Sequence, residues 1–205
     1  MAPLDSDEDP RDIELSSLTA IYPEIQQLRP EDPYTITLDV PVTPSKAVIV
    51  YFPATADTSA NPVLNHDVPV DSENAQAVDS HELAHLPSLH LELTFGPRYP
   101  AEEPPRIVIS TTPPWLPTDT VRRLEQDGPR LWEDMGRDMV GFTYIDHIQQ
   151  SAEDVFGLVC DSGALQVDPQ HKITILDHDI RARRAAFEKE TFTCGVCLGM
   201  FVTYS

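Results

Sequence analysis

Two cysteines close to the end of the sequence, Cys194 and Cys197, have the spacing that a zinc knuckle requires. A Cys-x-x-Cys segment presents two thiolates to one zinc ion, and tetrahedral zinc needs four ligands. The residues after Cys197 include no Cys, His, Asp or Glu, so the other ligands are not among them. We therefore expect this pair to be half of a zinc site that further sequence completes. The alternative is a coincidental pair of thiols in a disordered tail.

A second candidate metal site is the His-Glu-Leu-Ala-His stretch at 81–85, which satisfies the His-Glu-x-x-His pattern of zinc peptidases. On a helix, His81 and His85 would face one metal ion, and Glu82 would act as general base toward a bound water. Against this interpretation, Pro87 would end the helix too early, the preceding stretch offers no apolar stripe, and no third ligand is evident. We expect ordinary loop histidines, with adventitious weak metal binding as one alternative and the zinc peptidase as a remote one.

Charge and composition argue against several classes of protein. The 205 residues carry a formal net charge of −20, which disfavours nucleic-acid binding because attraction to phosphates dominates that affinity. It also disfavours anionic membrane surfaces, and no apolar run approaches the roughly 20 residues needed to span a bilayer. The acidic residues 1–12 lack the apolar core of a signal peptide. Three cysteines, two of them in the knuckle, do not make a disulfide framework, so we expect a cytoplasmic or nuclear protein.

The first half of the sequence predicts one helix and four strands. After an acidic tail at 1–9, residues 12–28 predict a helix that Pro23 shortens or kinks, because apolar residues recur on one face. Strands are predicted from alternating or continuous apolar residues at four places: 34–40, 47–52, 89–95 and 106–110. Residues 54–88 contain six acidic residues and no Lys or Arg, which predicts a flexible insertion.

Two further helices complete the predicted domain, at 117–135 and 142–159, the first with a break at Gly128-Pro129. The expected fold is α+β: a helix, a four-stranded antiparallel meander, and two helices packed on one sheet face. Residues 161–190 predict a linker with a charged helix, and 191–205 predict the truncated start of a second, zinc-binding domain.

The Arg-Tyr-Pro-Ala-Glu-Glu-Pro-Pro segment at 98–105 resembles the signature of the RWD domain, Tyr-Pro-x-x-x-Pro, which lies between the third and fourth strands. Residues 14–24 are similar to the first helix of that family, and the resemblance covers about residues 10–160. It implies the fold of ubiquitin-conjugating enzymes and a role in binding other proteins. We expect such binding through the open face of the sheet or the third helix.

Three residues of the signature are expected to build the turn. Pro100 and Pro104 each fix a φ angle and so stiffen the turn between the strands. Tyr99 can pack its ring over the turn while its hydroxyl bonds to nearby backbone. A role in contacting a partner is the less favoured alternative for these residues.

The domain lacks the thiolate nucleophile of a conjugating enzyme. Such enzymes carry that cysteine downstream of the turn, after a His-Pro-Asn element. Between Pro105 and Val159 there is no Cys, no His-Pro-Asn and a single histidine, His147, while Cys160 follows the last predicted helix. We therefore expect no thioester on this domain.

The whole sequence is similar to the front of a RING-between-RING (RBR) ubiquitin ligase, in which a charged helix precedes Phe-x-Cys-x-x-Cys. The match here is residues 192–197. The resemblance implies that Cys194 and Cys197 bind a structural zinc ion, and that Val196 contacts the ubiquitin-conjugating enzyme. It also implies ubiquitin transfer through a cysteine in further sequence, so this chain alone is expected to be inactive. The alternative is a stand-alone RWD interaction module.

Overall fold

The computed structural model describes residues 8–29, 32–53, 79–159, 164–189, 192–193 and 200–201. It divides into two compact units, one formed by Met1–Thr43 with Pro87–Gly157 and the other by Pro44–Leu86 with Leu158–Ser205. The helices and strands are, in chain order, α1 (Pro10–Ile21), β1 (Gln26–Arg29), β2 (Asp32–Val42), β3 (Val48–Phe52), β4 (Asp79–Leu83), β5 (Leu86–Thr94), β6 (Arg106–Thr111), α2 (Thr118–Asp134), α3 (Gly141–Glu153), β7 (Ala164–Gln166), α4 (Lys172–Lys189), β8 (Phe192–Thr193) and β9 (Met200–Phe201).

The first unit contains a four-stranded antiparallel sheet in the order β1-β2-β5-β6. Leu89, Leu91 and Leu93 alternate into the buried face of β5, and Ile109 lies opposite Leu91 on β6. Because strand side chains alternate between faces, this pattern leaves a second, polar face on the sheet. The predicted α+β fold with a four-stranded antiparallel sheet is confirmed.

The helices cover one face of this sheet, with α3 packed on β2 and α2 on β6. Their buried side chains include Leu124 and Trp132 of α2 and Tyr144, Ile145 and Ile148 of α3. In the part of the chain that the structure describes, no helix has the length and hydropathy to cross a membrane.

The structure corrects the predicted bounds of two helices in this unit. The first helix ends at Ile21 rather than at residue 28, because Pro23 disfavours a helical conformation at Tyr22, and Gln26–Arg29 form strand β1 instead. Helix α2 has no break at Pro129 and runs on to Asp134. Leu124 and Trp132, on the two sides of the proline, are both buried, so packing stabilises both halves of the helix.

The third helix is also shorter than the predicted range 142–159. It ends at Glu153, and Val155, Phe156 and Gly157 then take φ angles of 48°, 55° and 67°. Left-handed φ values at Val155 and Phe156 are unusual for bulky side chains. The bond from the Arg123 side chain to the Phe156 carbonyl, 2.6 Å long, helps to hold this turn.

The second unit contains a three-stranded sheet in the order β4-β3-β7 and the helix α4. Strand β3 pairs antiparallel with β4 and parallel with β7. The prediction that residues 47–52 form the second strand of the meander is therefore wrong, because this strand belongs to a separate sheet. The predicted insertion at 54–88 is wrong from Asp79 onward, where β4 and β5 form; residues 54–78 lie outside the described residues.

Candidate functional site

The turn at residues 96–105 connects β5 to β6 and is bound to the helices by two hydrogen bonds. The buried Tyr99 ring lies 4.9 Å from the Phe95 ring centroid, and its hydroxyl accepts a 2.7 Å bond from the Val140 N–H. The Trp132 indole N–H donates a 2.7 Å bond to the Pro100 carbonyl. The Tyr99 hydroxyl thus binds backbone at the start of α3 rather than backbone of its own turn.

Glu14 of α1 supplies the cap that α3 lacks. Val140, at the N-cap of α3, has no side-chain bond to the helix, and the Gly141 N–H donates instead to Glu14 Oε1 at 2.5 Å. The Glu14 residue is 5% exposed, and its Oε2 atom is buried with no hydrogen-bond partner among the described residues. Burial raises the pKa of Glu14, while the Tyr99 hydroxyl and the Gly141 N–H act in the opposite direction. A carboxyl group here fits the positive end of the helix.

Glu14 was not singled out from the sequence, although a signal for it exists. It lies next to Leu15 and one turn before Leu18, on the buried side of α1. An acidic residue on the apolar face of an amphipathic helix needs a hydrogen-bond partner, since burying an unpaired charge is costly. That partner lies 127 residues further along the chain, where sequence patterns give no indication of it.

Beside this junction, the end of α1 and the start of α3 expose apolar side chains. Phe142 is 50% exposed and stacks on the Tyr22 ring at 6.4 Å, while Ile21 is 52% exposed. We name the α1–α3 surface after the exposed Ile21 and Phe142 together with Tyr22, which is only 8% exposed and supports the Phe142 ring. Clustered exposed apolar residues are typical of protein contacts, whereas isolated ones are common on any protein.

The open face of the sheet is polar, in contrast to the α1–α3 surface. It presents His90 and Glu92 of β5, which lie opposite Ser110 and Val108 of β6. The His90 ring nitrogen is 2.8 Å from the Asp39 carboxylate. Of the two predicted partner-binding faces, α3 therefore offers the apolar area that a stable contact buries, and the sheet offers polar groups.

A cleft of about 370 Å³ lies between α2 and α3 and contains paired charges. Asp127 contacts His147 at 3.2 Å and Arg130 at 3.5 Å. Ser151 also lines the cleft, but its hydroxyl donates to the main-chain carbonyl of His147. The arrangement therefore lacks the hydroxyl-to-imidazole bond by which a base activates a serine nucleophile.

The structure contradicts the zinc-peptidase alternative. His81 lies in strand β4 and bonds to Asp79 at 3.0 Å, whereas the His-Glu-x-x-His site requires both histidines on one helical face. His85 lies beyond the end of that strand, with its ring 3.6 Å from the Asp179 carboxylate. Among the described residues, no three His, Cys, Asp or Glu side chains are grouped to hold a metal ion.

The cysteine pair and Val196 lie outside the described residues, but the strands that flank them are described. Strand β8 pairs antiparallel with β9, with Phe192 opposite Phe201 and Thr193 opposite Met200. The segment that connects these two strands contains both Cys194 and Cys197. The prediction that Cys194 and Cys197 bind zinc therefore stays a prediction.

Comparison with protein-family models matches residues 9–152 to the RWD domain. The chain belongs to the RWD domain family. Searches of curated proteins and of solved structures returned no match. The RWD match covers α1, the four-stranded sheet, α2 and nearly all of α3, and it ends before α4 and the cysteine pair.

Membership in the RWD family indicates a protein-interaction module with the fold of ubiquitin-conjugating enzymes. The residues from Arg106 to Val159 of this RWD domain contain no cysteine, so that stretch has no thiol with which to carry ubiquitin. The buried turn at Tyr99 and the cap from Glu14 hold the helical layer of the RWD domain in place. Their position beside the α1–α3 surface makes that surface the candidate interaction site.

Proposed function

We propose that this RWD domain is the protein-recruiting front of an RBR ubiquitin ligase, with a zinc ion bound by Cys194, Cys197 and ligands from further sequence. The observation that supports the proposal is the antiparallel pairing of β8 with β9 around the Cys-x-x-Cys segment, directly after helix α4. A structural zinc site takes two of its ligands from one Cys-x-x-Cys segment, so a pair of short strands on its two sides supports this assignment.

In this proposal the RWD domain recruits partner proteins, for which the α1–α3 surface is the best candidate. The zinc-bound loop would present Val196 to a ubiquitin-conjugating enzyme, and ubiquitin would pass through a cysteine in further sequence. The proposal places the protein in the cytoplasm or nucleus, where thiols stay reduced and available to zinc.

The test begins with the transcript of the native gene and the protein that its whole reading frame encodes. We expect additional Cys and His codons after Ser205 at spacings that complete a RING domain. The purified protein should transfer ubiquitin when ubiquitin, activating enzyme and conjugating enzyme are supplied. Cys194→Ser and Cys197→Ser should each reduce the bound zinc, measured by mass spectrometry, by about one ion per chain.

Cys160→Ser is the matched control, because Cys160 is the one cysteine of these 205 residues that lies outside the knuckle. Its zinc content and ubiquitin transfer should equal those of the wild type. A transcript that ends at Ser205, or zinc content that does not change in either knuckle variant, would refute the ligase proposal. Either result would favour the second candidate, a stand-alone RWD module, which the match of residues 9–152 to the RWD domain supports.

A further inference from the structure

Helix α4 carries the most exposed apolar side chains of the described residues. Ile173 is 82% exposed, Ile180 is 64% exposed and Phe187 is 60% exposed, more than any other large apolar residue there. They recur at intervals of seven residues, and such residues form a nearly straight stripe because seven residues make almost two helical turns. The stripe is about 21 Å long at 1.5 Å per residue.

The opposite side of α4 is already packed. Ile175 is fully buried, and the buried Asp179 carboxylate accepts hydrogen bonds from the Ala84 and His85 N–H groups at 3.0 and 2.9 Å. At about 100° per residue, Ile175 lies roughly 200° around the helix from Ile173. The helix therefore has one side that stabilises its own unit and another with an exposed stripe of coiled-coil spacing.

We propose that the stripe is a self-association surface, on which α4 of a second copy of this chain packs antiparallel. With Ile180 of each copy on the two-fold axis, Ile173 of one chain lies opposite Phe187 of the other. The apolar stripe is thus complementary to itself when one helix is reversed, as a two-fold symmetric interface requires.

Charge complementarity favours the antiparallel direction and a second copy as the occupant. The N-terminal half of α4 carries Asp177 beside the stripe, and the C-terminal half carries Arg184 on the same side. In the antiparallel pair these two residues of opposite charge face each other, twice per dimer. Among the described residues, Asp177 forms an exposed ion pair with Arg181 and Arg184 forms one with Glu188, both within α4, and such pairs exchange at little cost.

A parallel pair would need charges from the packed side of α4. The partners of Asp177 and Arg184 would then be Lys172 and Asp179 of the other chain. Lys172 is already bound to Asp79 at 2.6 Å, and Asp179 is bound to backbone N–H groups and to Arg183. The parallel arrangement would therefore disrupt ion pairs and hydrogen bonds on the packed side of α4, whereas the antiparallel arrangement exchanges exposed ion pairs within α4.

The expected dimer is weak, because two single helices bury less than the roughly 1,200 Å² of a standard interface. We expect a dissociation constant of about 10 to 100 µM. Sedimentation equilibrium of the whole chain, from about 5 µM to about 500 µM, should show a monomer that becomes a dimer. Salt of about 0.15 M shortens the Debye length to about 8 Å and so screens the repulsion between acidic chains.

The central position gives the sharpest test. Ile180→Gln should weaken the dimer about tenfold or more, because both copies lose an isoleucine that lies at the two-fold axis. Ile49→Gln is the matched control: Ile49 is a 46% exposed isoleucine of the same unit, and its replacement should leave the dimer unchanged. Circular dichroism should show that both variants keep the wild-type helix content.

Charge reversal tests the direction of the helices. Asp177→Arg or Arg184→Asp alone should weaken the dimer severalfold, and the double variant should restore it, since the reversed charges again face each other. A double variant weaker than either single variant would overturn the antiparallel arrangement. The self-association surface itself would be overturned if the wild type stayed monomeric at every concentration. It would also be overturned if Ile180→Gln left the dissociation constant of the dimer unchanged.

Discussion

Replacing Tyr99 with Phe removes one hydroxyl group and tests whether the turn at residues 96–105 stabilises the position of the helices on the sheet. In the wild type that hydroxyl accepts the buried Val140 N–H at 2.7 Å, and it also lowers the pKa of the neighbouring Glu14 carboxyl. The variant removes this acceptor from the buried Val140 N–H, which costs about 1–3 kcal/mol. The ring and its 4.9 Å contact with Phe95 remain, so no cavity adds to this loss.

The assay is urea unfolding followed by tryptophan fluorescence. Both tryptophans, Trp115 and Trp132, are buried in the same unit as Tyr99, so their emission reports on that unit. The urea concentration at the midpoint should fall, while the dependence of the unfolding free energy on urea stays unchanged. The melting temperature should fall by roughly 2–4 °C for each kcal/mol lost.

The matched control for this experiment is Tyr34→Phe. The Tyr34 hydroxyl makes an exposed 3.1 Å bond to Asp12, so its loss should change the free energy of unfolding by less than about 0.5 kcal/mol. If Tyr99→Phe is as mild as this control, the hydroxyl does not hold α3 and our account of the turn is incorrect.

Three further predictions concern buried acids and one close packing contact. Because burial raises the pKa of Glu14, the stability that its protonation adds is present below about pH 4.3 and is lost as the pH rises through the folded-state value. Glu14→Gln should therefore gain stability relative to wild type as the pH rises above about 4.3, and a difference in urea midpoints between the two proteins that does not change with pH would contradict this. Asp179→Ala should cost about 1–3 kcal/mol and speed hydrogen exchange at Ala84 and His85, whose N–H groups bond to that carboxylate; unchanged exchange there would refute the role. Gly141→Ala should cost about 1–3 kcal/mol, since a Cβ would lie 2.7 Å from Glu14 Oε1 and 3.2 Å from the Phe95 ring; Gly96→Ala, with 3.8 Å of room, is the neutral control in the same urea assay.

The parts of the fold that follow from local pattern were predictable. The alternating residues of β2 and β5 correspond to the predicted strands 34–40 and 89–95, because a half-buried strand imposes period two on its own sequence. Strand β1 escaped prediction, since its four residues, Gln-Gln-Leu-Arg, are too few and too polar to show a period. It forms because β2 supplies its partners.

Sheet membership could not be predicted, because a strand pattern records burial and not the identity of its neighbour. The apolar run at 47–52 indicated a buried strand, and β3 is one; its neighbours are β4 and the distant β7. The same limit applied to the site. The signature located the turn at Tyr99, but the bond to Val140, 41 residues away, depends on tertiary packing.

The parallel pairing of β3 with β7 has a consequence for how the protein is made. More than 100 residues separate the two strands, so at 5–20 residues per second the ribosome needs roughly 5–20 s to deliver β7 after β3 emerges. Until then the backbone N–H and C=O groups on one edge of β3, next to the apolar Val50 and Phe52, have no strand to pair with. Such an edge can pair with a strand of another nascent chain and cause aggregation. Expression of a version that stops at residue 152, where the family match ends, would make that exposure permanent and should yield inclusion bodies. Soluble production calls for a chain that extends at least through Gln166.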